Sequence, residues 1–513
     1  MYIRTVYYRG GSDASTGNGH LPRPPRSATI LAKPEASAPG ARSFGPHFAP
    51  RLWIRPLPSP TGPDHSKPTC CLITLGCPKN LVDSERMLGL LRSAGYALVA
   101  EPEGADFVLV NTCGFIQSAR DESLETIREM SELKRRGLTG GLIVAGCLAE
   151  RDRESLLEVC PEIDQLVGVF ARDEIAEAAR RLTGGEDDGR TVFRSAPSCP
   201  LCDRDRLRVT ARHVAYLKIA EGCDRRCAFC TIPAIRGRYA SKPADEVIAE
   251  AVQLADDGVR ELILIAQDTT YYGIDRGGRP QLAPLLARLN EVEGLEWIRL
   301  MYLYPTLVSE ELIDVVAAGG KILPYLDVPL QHVNDQVLRR MNRGITRAQT
   351  EALVDRLRER IDGLVLRTTL IAGFPGETEE QFQELLQFVA ERKFERLGVF
   401  PYSQEFDTPA GRLDGQVPEE VRLARADRLL AVQQQIAFAW NQSRVGWQGD
   451  VIIDRYILGE KNAYFGRSYA HAPDVDGVVY VTGDDLSPGR IVPCEIVAAR
   501  EYDWIGAAIA EAR

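Results

Sequence analysis

Six of the twelve cysteines in this chain fall into two triads, and their spacing constrains the fold more than any other feature. One triad is compact: Cys223-x3-Cys227-x2-Cys230. The other is dispersed, with Cys77, Cys113 and Cys147 separated by 36 and 34 residues. Each of these three follows an apolar run and touches a glycine: CLITLGCPKN, DFVLVNTCGF and GLIVAGCLAE. A βαβ unit needs about 30 residues or more, so this spacing predicts three successive parallel strands, each ending in a cysteine. Ligands gather beyond the carboxyl ends of such strands, so the three thiols are expected to converge on one rim. Three thiolates from one loop hold three irons of a cubane cluster and leave the fourth open for an exogenous ligand. The alternative for the compact triad is a structural zinc site, which needs four closed ligands. No fourth Cys or His lies at suitable local spacing.

At 513 residues the chain exceeds one ordinary core, and it divides by composition. Residues 1–68 carry 12 of the 31 prolines and nine Lys/Arg against three Asp/Glu, and read as a disordered extension, an upstream start or an Arg-rich transit segment. Strand, loop and helix then alternate over 69–185, with apolar runs at 71–75, 107–110 and 142–145. Residues 186–210 are polar and read as a linker. A second alternation over 211–445 has strand-like runs at 214–220, 261–266, 297–303, 325–330, 365–372 and 396–402, which suggests a six-unit, incomplete barrel. A helix at about 417–444 ends it. Residues 446–513 hold short β-rich runs broken by Gly, Pro and Asp, the pattern of a small OB-like barrel. The fold class expected is therefore multidomain α/β: a Rossmann-like cluster domain, a partial (β/α)6 barrel and a C-terminal β-barrel.

No apolar run reaches the ~18 residues of a membrane helix, and the start lacks a secretory apolar region, so a cytoplasmic protein is expected. In such a chain, cysteines point to metal or redox chemistry rather than disulfides. The net charge of −10 disfavours nonspecific nucleic-acid binding. Smaller expectations fall on the strand ends of the barrel. Gln267 and Gln331 stand at strand ends, placed for polar contacts at the mouth. Gly373-x2-Gly376-Glu377 either lets the backbone approach a cofactor or forms a plain βα turn. Cys199-x2-Cys202 in the linker reads as a fortuitous pair, and Cys70, Cys71, Cys160 and Cys494 as structural or incidental.

The compact loop Cys223-Asp-Arg-Arg-Cys227-Ala-Phe229-Cys230 resembles the signature of radical S-adenosylmethionine (radical SAM) enzymes. With the dispersed triad, the chain resembles the methylthiotransferase family over about 70–513. That family has an N-terminal cluster domain, a radical SAM barrel and a C-terminal TRAM domain. LGCPKNLVDSE at 75–85, NTCGFI at 111–116, YLDVPLQH at 325–332 and GRSYA at 466–470 resemble the branch acting on ribosomal protein S12.

The resemblance implies two [4Fe–4S] clusters held by Cys77, Cys113, Cys147 and by Cys223, Cys227, Cys230, with S-adenosylmethionine as methyl donor and radical source. It implies hydrogen abstraction from an aspartate β-carbon of S12, methylthio insertion and a reducing electron donor. The sister activity on a tRNA adenosine and a non-enzymatic iron-sulfur protein stand as alternatives. Residues 446–513 hold six Lys/Arg against eleven Asp/Glu, a net charge of −5, which favours a basic protein over tRNA as partner.

Overall fold

The computed structural model describes residues 52–53, 67–184, 189–200 and 202–509. The extension expected at 1–68 otherwise lies outside the described residues. Leu52–Trp53 form a short antiparallel edge against Ile73–Thr74.

The first domain is a seven-stranded sheet with helices on its faces. Its central strands, Phe107–Thr112 and Leu142–Gly146, are buried along their whole length, as both-face coverage requires. Strand Thr69–Thr74 pairs in parallel with Ala97–Val99 on one side and Phe107–Thr112 on the other. Leu142–Gly146 and Gln165–Val167 continue outward. The strand order thus reverses between the first and third parallel strands, where a crevice opens at the carboxyl ends. Thr191–Val192 adds a last parallel strand beside Leu166–Val167. The sheet therefore reaches into the stretch read as a linker from 186. A two-residue strand has no alternation to betray it.

The second domain is a six-stranded parallel sheet in the order Arg396–Pro401, Val365–Ala372, Ile322–Asp327, Trp297–Leu300, Glu261–Ile265, Val214–Lys218. This is the expected open barrel. Ala215, Leu217, Leu262, Leu264 and Leu366 face the helical layer. Their alternates Val214, Tyr216, Ile263, Ile265, Tyr325 and Val365 face inward and pack against the C-terminal domain.

That domain is a closed five-stranded barrel built from Gln448–Tyr456, Ala463–Ser468, Val479–Thr482, Ile491–Arg500 and Asp503–Ala508. Polar ties fix it to the inner face of the open barrel. Arg299 Nη1 donates to the Tyr469 carbonyl at 2.6 Å, and Tyr325 donates to Asp476 at 2.7 Å. Arg467 pairs with Glu261. Plugging this face leaves the carboxyl-end rim for chemistry. Among the described residues, no helix is long and apolar enough to cross a membrane.

Candidate active site between two thiolate triads

Cys77, Cys113 and Cys147 follow the three adjacent strands Thr69–Thr74, Phe107–Thr112 and Leu142–Gly146. Asn80 knits their loops together. Its Nδ2 donates to the Leu75 carbonyl at 2.8 Å and the Thr112 carbonyl at 2.9 Å, while its Oδ1 lies 3.8 Å from Cys147 Sγ. Ser123 Oγ accepts from the Cys113 N–H at 3.1 Å and donates to its carbonyl at 2.9 Å.

Gly76 makes the convergence possible. Its φ is +89°, and an added Cβ would lie 2.8 Å from Cys113 Cβ and 3.0 Å from Cys113 Sγ. Gly76→Ala is therefore expected to displace Cys113 and remove iron from this triad alone, as iron and sulfide counts per chain will show. Unchanged iron would refute that close approach.

The three thiols form a crowded group. Burial, then repulsion from Cys147 and Cys77, pushes the Cys113 thiol up to about 12. Burial raises Cys147 to about 11 despite Arg236 beside it. Burial also opposes ionisation of Cys77, but Lys79, Arg236 and the N–H groups of Asn80 and Lys79 hold it below the usual thiol range. Buried and half-buried thiols packed close enough to repel one another as thiolates are the donor set a polynuclear cation neutralises.

The second triad lies on the loop after Ala220–Glu221. The Cys223 N–H donates to the Gly237 carbonyl at 3.1 Å, and the Ala228 N–H to the Met341 carbonyl at 2.9 Å. Asn342 Nδ2 donates to the Arg226 carbonyl at 2.7 Å. Sulfur receives donors as well: Arg343 Nη1 lies 3.5 Å from Cys227 Sγ, and the Arg225 N–H lies 3.4 Å from Cys223 Sγ. Burial pushes Cys223 up to about 12 and raises Cys230, with Cys227 adding repulsion in both. No three His, Cys, Asp or Glu side chains among the described residues close on a single metal ion. Cubane ligands sit on separate irons and stand further apart than those of one ion, so the soft donors and the N–H groups aimed at sulfur fit a cluster.

A buried ionic bridge joins the triads. Arg236, 1% exposed, donates from Nε to Cys147 Sγ at 3.4 Å, from Nη1 to Glu221 at 3.0 Å, and from Nη2 to Asn80 and Asp83 at 3.0 Å each. Lys218 Nζ completes it, 2.6 Å from Asp83 and 2.9 Å from Glu221. Glu221 lies two residues before Cys223, so one guanidinium touches both cluster loops. Nothing in the local sequence marks Arg236 and Asp83 as a pair, because they lie 153 residues apart.

The other expected residues divide. Gln267 and Gln331 are half-buried at strand ends on the rim. Gln331 has φ +75° and bridges to Leu370. Glu377 turns inward: its Oε2 accepts from the Gly373 N–H at 3.0 Å and its Oε1 from Arg425 at 2.8 Å. Gly373 backs onto Arg422 and Gly376 onto Arg340. Gly373-x2-Gly376-Glu377 forms a turn stitched by its own glutamate, with each carboxylate oxygen engaged. Cys199 and Cys202 are exposed, whereas Cys70, Cys71, Cys160 and Cys494 are buried and free.

The family comparisons follow the same three-part division. Residues 69–168 match the model of an uncharacterized protein family, UPF0004; 217–389 match the Radical SAM superfamily; and 445–509 match the TRAM domain. Fold and triads together define a radical SAM enzyme with a second cluster domain and a TRAM barrel.

The chain is 47% identical over 438 residues to the ribosomal protein uS12 methylthiotransferase RimO of Pelotomaculum thermopropionicum, covering 85% of this chain and 98% of that protein. The same-named protein of Lachnoclostridium phytofermentans is 45% identical, covering 85% and 99%. The chain belongs to the ribosomal protein uS12 methylthiotransferase family. A solved radical S-adenosylmethionine methyltransferase, TsrM from Kitasatospora setae, with cobalamin and a [4Fe-4S] cluster bound, aligns at 20% identity. Its TM-score is 0.47, over 63% of this chain and 73% of its own.

Proposed function

We propose that this chain methylthiolates an aspartate β-carbon of ribosomal protein uS12. The observation that carries the reading is the pair of three-thiol sites facing one another across Arg236 and Glu221. Cys223, Cys227 and Cys230 hold one [4Fe–4S] cluster, and Cys77, Cys113 and Cys147 the other. When bound, these clusters and S-adenosylmethionine supply one-electron chemistry and the sulfur to be inserted.

The protein's own part is placement. Asn80 and Gly76 gather one triad at the crevice of the first sheet. Residues 341–343 clamp the loop of the other. Gln267 and Gln331 present polar groups on the rim for the nucleoside of S-adenosylmethionine. The Glu405 carboxylate closes the two domains over the mouth, accepting from the Gln117 N–H at 2.9 Å and Arg151 at 2.8 Å. An external reductant supplies electrons.

The TRAM charge supports a protein substrate less than its count suggests. Asp454, Asp474 and Asp476 face inward onto His213, Tyr216 and Tyr325 rather than outward to a partner.

The test is anaerobic reconstitution followed by iron and sulfide analysis and mass spectrometry of uS12 and tRNA from the same reaction. Two clusters per chain and a methylthio-sized gain on a uS12 aspartate are expected. A gain on tRNA adenosine, or one cluster per chain, overturns the reading.

A further inference from the structure

Two residues past Cys77, Lys79 sits in the first turn of the helix Pro78–Ser93 with only 4% of its surface exposed. Its Nζ lies 3.1 Å from the centroid of the Tyr302 ring. Among the described residues, that ammonium has no hydrogen-bond acceptor and no ion-pair partner. The charged groups facing it are Cys77, Arg236, Asp327 and Glu221. Both carboxylates are engaged elsewhere. Asp327 is held by Arg367 at 2.6 Å and by the Tyr302 N–H at 3.1 Å, and Glu221 by Lys218 and Arg236.

The side chain is almost covered while its ammonium keeps access to the crevice, so three donors stand open to an acceptor that enters. The ring beneath the ammonium contributes a cation–π contact but accepts no conventional hydrogen bond. The platform is itself strained into place. Tyr302 has φ +63°, uncommon for a bulky residue, at the carboxyl end of the barrel strand Trp297–Leu300. Its backbone is pinned on both sides, by Asp327 and by the Thr269 N–H at 2.9 Å from its carbonyl. Such strain persists where the surroundings over-determine it, and it clusters at ligand clamps. Lys79 therefore stands at the barrel mouth beside the dispersed triad, with its donors unassigned.

We infer that Lys79, seated on Tyr302, receives the side-chain carboxylate of the target aspartate and so places the neighbouring carbon between the triads. This rests on the uS12 reading above and adds what selects the residue modified. A carboxylate accepts a charge-assisted bond from the ammonium, whereas an asparagine amide offers one neutral acceptor and a donor that repels it. Lys79 adjoins Cys77 rather than the Cys223 loop, which favours the substrate's carboxylate over that of S-adenosylmethionine.

The experiment measures binding rather than turnover. The full chain, reconstituted with iron and sulfide, is titrated anaerobically with uS12 carrying aspartate or asparagine at the modified position, and separately with S-adenosylhomocysteine. The unaltered chain is expected to prefer the aspartate form by ~10-fold or more, in line with a bond to a charged group. Lys79→Met is expected to bring that ratio to about one with iron retained, and Lys79→Arg to restore most of it, since both tests turn on the one positive charge.

A ratio that survives in Lys79→Met overturns the inference, whether or not S-adenosylhomocysteine binding falls with it. If the methionine variant loses iron, Lys79→Gln is read in its place. Iron loss in both would make Lys79 a support of the cluster site and overturn the inference too. Failure of the unaltered chain to bind either uS12 form would instead remove the uS12 reading, and this inference with it.

Discussion

Cys227→Ala abolishes 5′-deoxyadenosine formation, whereas Cys113→Ala abolishes methylthio product while some reductive cleavage of S-adenosylmethionine remains. That is the expected result if the triads divide the work, and the structure supplies the reason. The two sites belong to different sheets and are closed by different bonds. Cys227 sits in a loop held by Met341, Asn342 and Arg343. Cys113 is held by Ser123 and the close approach of Gly76. Loss of one thiolate from a three-thiolate site is more severe than loss of a supporting hydrogen bond, which itself costs 10- to 100-fold, so ~100-fold or more is expected in the affected product. Quantifying both products and the iron in each variant makes the check. Identical behaviour of the two variants in both assays would show that the sites do not divide the work.

The legible part of this molecule was the part written locally. A cysteine after an apolar run is visible within ten residues. The recurrence at 36 and 34 residues carries the βαβ period, so the rim holding Cys77, Cys113 and Cys147 could be drawn from the chain alone. The six barrel strands show because parallel strands covered on both faces read as continuous apolar runs, as in Glu-Leu-Ile-Leu-Ile at 261–265.

Two kinds of feature stayed hidden. Ala97–Val99, Gln165–Val167 and Thr191–Val192 are too short for any period to register. The buried charges hid for a different reason. Lys218, Arg236 and Asp83 sit in local sequence that reads as ordinary strand or helix, and charged residues are almost never fully buried unless paired. Asp83 reaches Lys218 and Arg236 from another domain, 135 and 153 residues away, so no window of the chain contains the whole network. Glu377 was visible as a glutamate in a Gly-rich turn at a strand end, but its bonds to the turn's own N–H groups and to Arg425 were not.

The largest expected loss of stability comes from that hidden bridge. Arg236→Leu keeps most of the side-chain volume but leaves Asp83 and Glu221 with Lys218 as their only strong partner between the triads. Asp83 retains Arg172 on its far side, so the deficit concentrates on Glu221 and on Cys147, which loses its guanidinium donor. Removing one partner from a buried ion pair typically costs about 3–5 kcal/mol, because the other charge stays buried. In a domain of this size that corresponds to a fall in melting temperature on the order of 10 °C. Arg236→Lys restores the charge but not the fork that reaches four acceptors at once, so an intermediate fall is expected. Glu221→Gln removes the opposing charge and should partly rescue Arg236→Leu in the double variant, since the two losses share one contact. Thermal unfolding of the four variants and the unaltered chain, with iron per chain before heating, decides it. Additive losses, or an Arg236→Leu chain that melts with the unaltered one, would show that the bridge does not hold the two cluster domains together.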